Sequence, residues 1–185
     1  MADGKGIDFS ANTKGVFKGI QIYVCRMVNN EAAGSANPLG AGGSDWEISD
    51  DIETENQLGN VTIGDVETNG IFSFPSTGYW SVELYVALEL TNGQGAERQG
   101  TSAIYASDDA SGGATYTSVA AGFTMFEDKS DTVRATAICK ALLKIETLAD
   151  DKIKIVTIMK NSNTVALGSG AVNTTYIVFE KKADL

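Results

Sequence analysis

The sequence predicts an all-β chain, folded as two antiparallel sheets packed face to face. Three observations carry that expectation. The apolar runs are short and alternate with polar residues at a period of two, the pattern of strands with one buried face. Polar turns separate them, marked by 20 glycines against only 2 prolines in 185 residues. No segment reads securely as an amphipathic helix, and about eight to ten strands at this spacing favour a sandwich. The length is that of one domain, able to bury roughly 70% of its unfolded surface without metal or disulfide staples.

Residues 1–18 read as an N-terminal arm, and 19–185 as a single domain. "GIQIYVCRMV" at 19–28 is the first strand. A loop of small residues follows at about 29–44, poor in anything that packs. Short alternating pieces surround Trp46–Ile48 and Val61–Val66. "IFSFP" is a brief strand closed by Pro75, which cannot donate to an interior ladder, and Gly78 frees the chain to turn. From there the alternation is clean. Trp80, Val82, Leu84, Val86, Leu88 and Leu90 form a core face, while Tyr79, Ser81, Glu83, Tyr85, Ala87 and Glu89 face the other way.

"TSAIYAS", a hairpin tip at "DDASGG" and "TYTSVAAGFTMFE" supply two more strands. Segment 132–148, "TVRATAICKALLKIETL", fits a strand through Val133, Ala135, Ala137, Cys139, Ala141, Leu143 and Ile145. It fits a helix almost as well, and the strand spacing around it decides for strand. "KIKIVTIM", a brief "TVALG" and "TTYIVFEKK" complete the set.

Composition removes whole classes of chemistry. The chain has no histidine. Ser-His-Asp and Cys-His catalysis and His-ligated zinc or iron are therefore excluded. Cys25 and Cys139 each sit in an apolar run, without CxxC or zinc spacing, and read as buried thiols; whether they are bridged stays open at this level. The N-terminus lacks a signal-peptide core, and no run approaches the ~20 apolar residues of a membrane helix. The expected site of synthesis is the cytoplasm, with no membrane partner.

Charge is unevenly placed. Between Met27 and Asp128 one basic residue, Arg98, faces 16 acids, within a net charge of −10. That acidity argues against nucleic-acid binding, since phosphates would be repelled. The adjacent acids Asp50–Asp51, Asp108–Asp109 and Asp150–Asp151 are expected to be solvated loop acids, with no metal and no cofactor; Ca²⁺ is the alternative, although "SDDASGG" lacks the DxDxDG spacing of a calcium loop. No pair stands out as glycosidase carboxylates. Tyr79, Tyr85, Tyr116 and Tyr176 lie in or beside strands, where a tyrosine packs within the subunit or serves a subunit contact equally well.

Gly70, Phe72, Pro75, Gly78 and Tyr79 in "GIFSFPSTGYWSV" resemble the C1q/TNF-like jelly rolls, where a short strand passes through a Pro-x-x-Gly turn into a long core strand. "NTTYIVFEKK" is similar to the closing strand of that family, and "KALLKIETLADDKIKIV" to its penultimate strand pair. The resemblance implies a two-sheet jelly roll and a homotrimer packed about a threefold axis. It makes Tyr79, Tyr85, Tyr176 and Phe179 the candidates for the subunit interface. "GKGIDFSANTKG" near the N-terminus resembles segments of bacteriophage tail-fibre proteins, especially marine ones. Together these imply a non-enzymatic virion protein, a fibre tip or capsid decoration. Its partners would be itself, other virion proteins and a host-surface glycan or protein, met through loops 29–44, 45–56 and 107–113, with Lys181 and Lys182 helping it dock on the particle. A carbohydrate-binding or carbohydrate-cleaving β-sandwich is the alternative.

Overall fold

The computed structural model describes residues 22–32, 46–48, 70–91, 98–108, 115–128, 131–159 and 163–185. The arm at 1–18, the alternating piece at 61–66, the "DDASGG" tip beyond Asp108 and nearly all of the loops named above lie outside them.

The described residues form a two-sheet antiparallel jelly roll. In chain order the strands are β1 (Ile22–Met27), β2 (Glu31–Ala32), β3 (Trp46–Ile48), β4 (Ile71–Ser73), β5 (Gly78–Leu90), β6 (Gln99–Asp108), β7 (Thr117–Met125), β8 (Val133–Ile145), β9 (Asp151–Met159), β10 (Thr164–Ala166) and β11 (Tyr176–Ala183). The small-residue stretch after β1 is not loop throughout, because β2 pairs there with β10.

β5 organises the larger sheet. Along one edge it pairs with β8 over its whole length, from Gly78 opposite Ile145 to Leu90 opposite Val133. Along the other it meets β11 from Tyr79 to Tyr85, then β10 from Leu88 to Leu90. β1 and β3 continue the sheet beyond β11. The second sheet has the order β4-β9-β6-β7.

The period-two alternation decides what is buried. Trp80, Val82, Leu84, Val86, Leu88 and Leu90 are all fully buried between the sheets. They meet Ile104, Ile153 and Ile155 from the second sheet, with Tyr23, Cys25 and Met27 from β1. Phe72 and Phe74 pack on Phe179 at ring-centre distances of 5.6 and 5.8 Å, and Phe74 lies 5.5 Å from Trp80.

The segment that fitted both periodicities is strand β8, and its inner face explains the ambiguity. Ala135, Ala137, Cys139 and Ala141 are small where β7 packs closely against β8. A Cβ on Gly122 would stand 2.0 Å from the carbonyl oxygen of Ile138, so only glycine permits that approach. At the other end of β8, Gly78 has φ 140°, and a Cβ there would meet the Ala183 carbonyl oxygen at 2.4 Å.

Both thiols are free and buried. Register explains why they do not bridge: Cys25 pairs with Ile177, Ile177 with Leu84, and Leu84 with Cys139. Three strand spacings of about 4.8 Å hold them roughly 14 Å apart, twice the reach of a disulfide.

Candidate subunit interface

The outward face of the larger sheet is where most of the predicted contact residues converge. Its side chains come in cross-strand rows set by the register. One row runs Leu142, Ser81, Glu180 and Ile22 across β8, β5, β11 and β1. The next is Lys140, Glu83, Val178 and Val24, and the third is Ile138, Tyr85, Tyr176 and Arg26.

Four large side chains on this face stand exposed among its charges. Leu142 is 68% exposed, Ile138 50%, and Tyr79 and Ile22 39% each. Ser81 forms the floor of an open depression of about 570 Å³ walled by Tyr79, Leu142, Lys140 and Lys182. Yet Ser81, Val24 and Arg26, on the same outward side, are themselves buried. Alternation places them on the face without revealing their burial.

Tyr85 and Tyr176 stack with ring centres 4.5 Å apart and planes 11° from parallel. Such a pair contributes about 0.5–1.5 kcal/mol beyond the area it covers. The Tyr85 hydroxyl donates to Glu83 Oε1 at 2.7 Å, and Lys140 Nζ donates to Glu83 Oε2 at 3.3 Å. The bond to the Glu83 carboxylate pushes the Tyr85 phenol above its ordinary value. The same hydroxyl, with Lys140 behind it, holds Glu83 below the usual carboxylate range. Burial raises the Tyr176 phenol, with a smaller push from the Glu83 charge. Arg134 pairs with Glu89 at 2.8 Å one end further along. The charges on β5 and β8 are thus satisfied within the sheet, and the aliphatic side chains between them are left uncovered.

Phe179 does not belong to this surface. It is 1% exposed and points into the core against Phe72 and Phe74, so the expectation that it contacts a neighbouring subunit is corrected. Lys181 is corrected likewise as a docking residue. It is 5% exposed, with its ammonium 3.0 Å from Ser76 Oγ and ion-paired to Asp184. Lys182 is exposed and pairs with Glu180. Tyr79, Tyr85 and Tyr176 lie together on the outward face. Ile138 and Leu142 were missed, although both stand on the polar parity of β8 and that parity was readable.

Of the acid pairs, Asp151 caps a turn: its Oδ2 accepts the backbone N–H groups of Glu146 and Thr147 at 2.5 and 2.7 Å. Asp50–Asp51 and Asp109 fall outside the described residues. Among the described residues no group of three or more His, Cys, Asp or Glu is placed to hold a metal ion.

No protein-family profile matches the sequence, and no curated protein does. The fold is similar to solved structures. Eiger TNF from S. frugiperda superposes with a TM-score of 0.66 at 9% identity, covering 91% of this chain and 96% of that one. Murine APRIL at pH 5.0 gives 0.58 and at pH 8.5 gives 0.54, each at 9% identity over 88% of this chain and 99% of the other. These neighbours are TNF-family jelly rolls, and the likeness is one of fold.

Proposed function

We propose that this chain is a non-enzymatic virion structural protein, a fibre-tip or capsid-decoration module. It assembles as a homotrimer through the outward face of its larger sheet and serves particle assembly or attachment to the host surface. One observation carries the assembly: Tyr79, Ile22, Ile138 and Leu142 stand uncovered beside a stacked tyrosine pair on a single sheet face. Patches of this kind on soluble proteins mark contact surfaces. The TNF-like fold supports threefold closure, in which each subunit offers the same face and edge to the next. The virion setting is supported by the resemblance of "GKGIDFSANTKG" to tail-fibre segments.

Fully burying a Leu or Ile side chain contributes about 1.5–3 kcal/mol. With half or more of each still exposed, Ile138 and Leu142 have roughly 1–2 kcal/mol apiece to gain per subunit contact. The Ile138→Glu/Leu142→Glu double variant reverses that gain and places charge in the contact. Light scattering is expected to read a monomer for this variant while its circular dichroism stays that of the parent. An unchanged oligomeric mass would remove this face as the interface. Detection of the chain by mass spectrometry in purified particles tests the virion setting, and its absence from them would reject that setting.

A further inference from the structure

Two lysines stand apart from every other described cation. From Arg26 to Lys182, each remaining described Lys and Arg forms an ion pair with a carboxylate. Among the described residues, Lys152 and Lys154 alone do not. They are neighbours on one side of β9, while Ile153 and Ile155 point inward and are fully buried. Successive outward residues of a strand lie about 7 Å apart, so the two ammonium groups share one patch. That patch is on the outer face of the smaller sheet, away from the proposed interface.

The surroundings of this patch are aromatic. Lys154 sits opposite Tyr105 in register, and Lys152 opposite Ser73 on one side and Ser107 on the other. The Lys154 Nζ lies 4.5 Å from the ring centre of Tyr116 and 5.9 Å from that of Tyr105. Lys154 and both tyrosines are half-buried, and the rings steer the ammonium without neutralising it, because a ring carries no net charge; such a contact is worth about 0.5–2 kcal/mol. In a chain of net charge −10, two adjacent cations with no carboxylate partner among the described residues make a local attractive spot for an anion that an acidic surface elsewhere repels.

We infer that this face binds an acidic saccharide. Its carboxylate would be held between Lys152 and Lys154, and the apolar side of its pyranose ring would lie against Tyr116 and Tyr105. An acidic peptide would satisfy the lysines equally, but the flat rings of Tyr105 and Tyr116 beside Lys154 suit the face of a pyranose better than an aliphatic side chain. The inference deepens the attachment reading and rests on it: on a homotrimer the site repeats three times on outward surfaces, and weak single contacts gain by avidity.

The test is calorimetric titration of the whole chain with tetragalacturonate, galactotetraose and tetraglutamate at low salt. Tetragalacturonate is expected to bind at least tenfold more tightly than either of the others. Lys154→Gln and, separately, Lys152→Gln are expected to weaken it at least tenfold, and Tyr116→Ala at least fivefold, with melting temperatures within a few degrees of the parent. No binding of tetragalacturonate, equal binding of the neutral sugar, or no effect of the lysine variants would overturn the site. Tetraglutamate binding as tightly would overturn the saccharide and leave an acidic-peptide surface. Light scattering on the same samples separates the two levels. A monomer that binds through Lys154 removes the trimer and keeps the site, whereas a trimer that binds nothing does the reverse.

Discussion

Replacing Phe179 by alanine separates core from interface at the one subunit-interface candidate that faces inward. The ring is 1% exposed and packs on Phe72 and Phe74 at 5.6 and 5.8 Å. Removing it forfeits about 2 kcal/mol of transfer free energy. A residual cavity of about 80 Å³ adds roughly 2 kcal/mol at ~24 cal/mol per Å³, and two aromatic contacts are lost besides. The expected loss is therefore about 4–5 kcal/mol, within the range seen for buried Phe→Ala changes. Urea denaturation followed by tryptophan fluorescence measures it, since Trp80 lies 5.5 Å from Phe74 in the same cluster. Light scattering of the still-folded variant should read the parent oligomeric mass. A loss below about 1.5 kcal/mol, or a fall in mass with stability unchanged, would refute the assignment of Phe179 to the core.

Two further expectations concern backbone and thiol. Gly78→Ala places a Cβ 2.4 Å from the Ala183 carbonyl oxygen at φ 140°, so it should cost more than about 1 kcal/mol in urea denaturation and loosen the start of β5; a neutral outcome would contradict the close approach of β11. Burial pushes the Cys25 thiol from its ordinary 9.0 up to about 12. The folded chain therefore holds a proton that the unfolded chain releases between those values. Stability contributed by the neutral thiol is complete below pH 9 and falls as pH rises toward 12, by up to about 1.4 kcal/mol per pH unit. Cys25→Ala should flatten that alkaline decline, and a decline of unchanged steepness would assign it to other groups.

Much of the fold was legible because one physical rule, alternation, governs a sandwich. It placed the six core residues of β5, and it decided for strand over helix at β8 once the neighbouring spacing was counted. The same rule was not carried through at β11. Tyr176 and Phe179 are three apart, so on one strand they must face opposite sides, and only one of them can serve the outward face. The pairing that buries Ser81, and the contact that requires Gly122 against Ile138, depend on which strands become neighbours. Local sequence does not encode that. Nor could it show that Lys152 and Lys154 have no carboxylate partner among the described residues. Both are ordinary lysines in the sequence, and their isolation emerges only when β9 is seated between β4 and β6.

The most direct measurement of the central claim is the solution mass of the isolated protein by light scattering over a dilution series. A homotrimer gives about three times the 19.5 kDa of one chain, persisting as the protein is diluted. A mass of 19.5 kDa at every concentration would contradict it, leaving the TNF-like fold without the assembly proposed for its larger sheet.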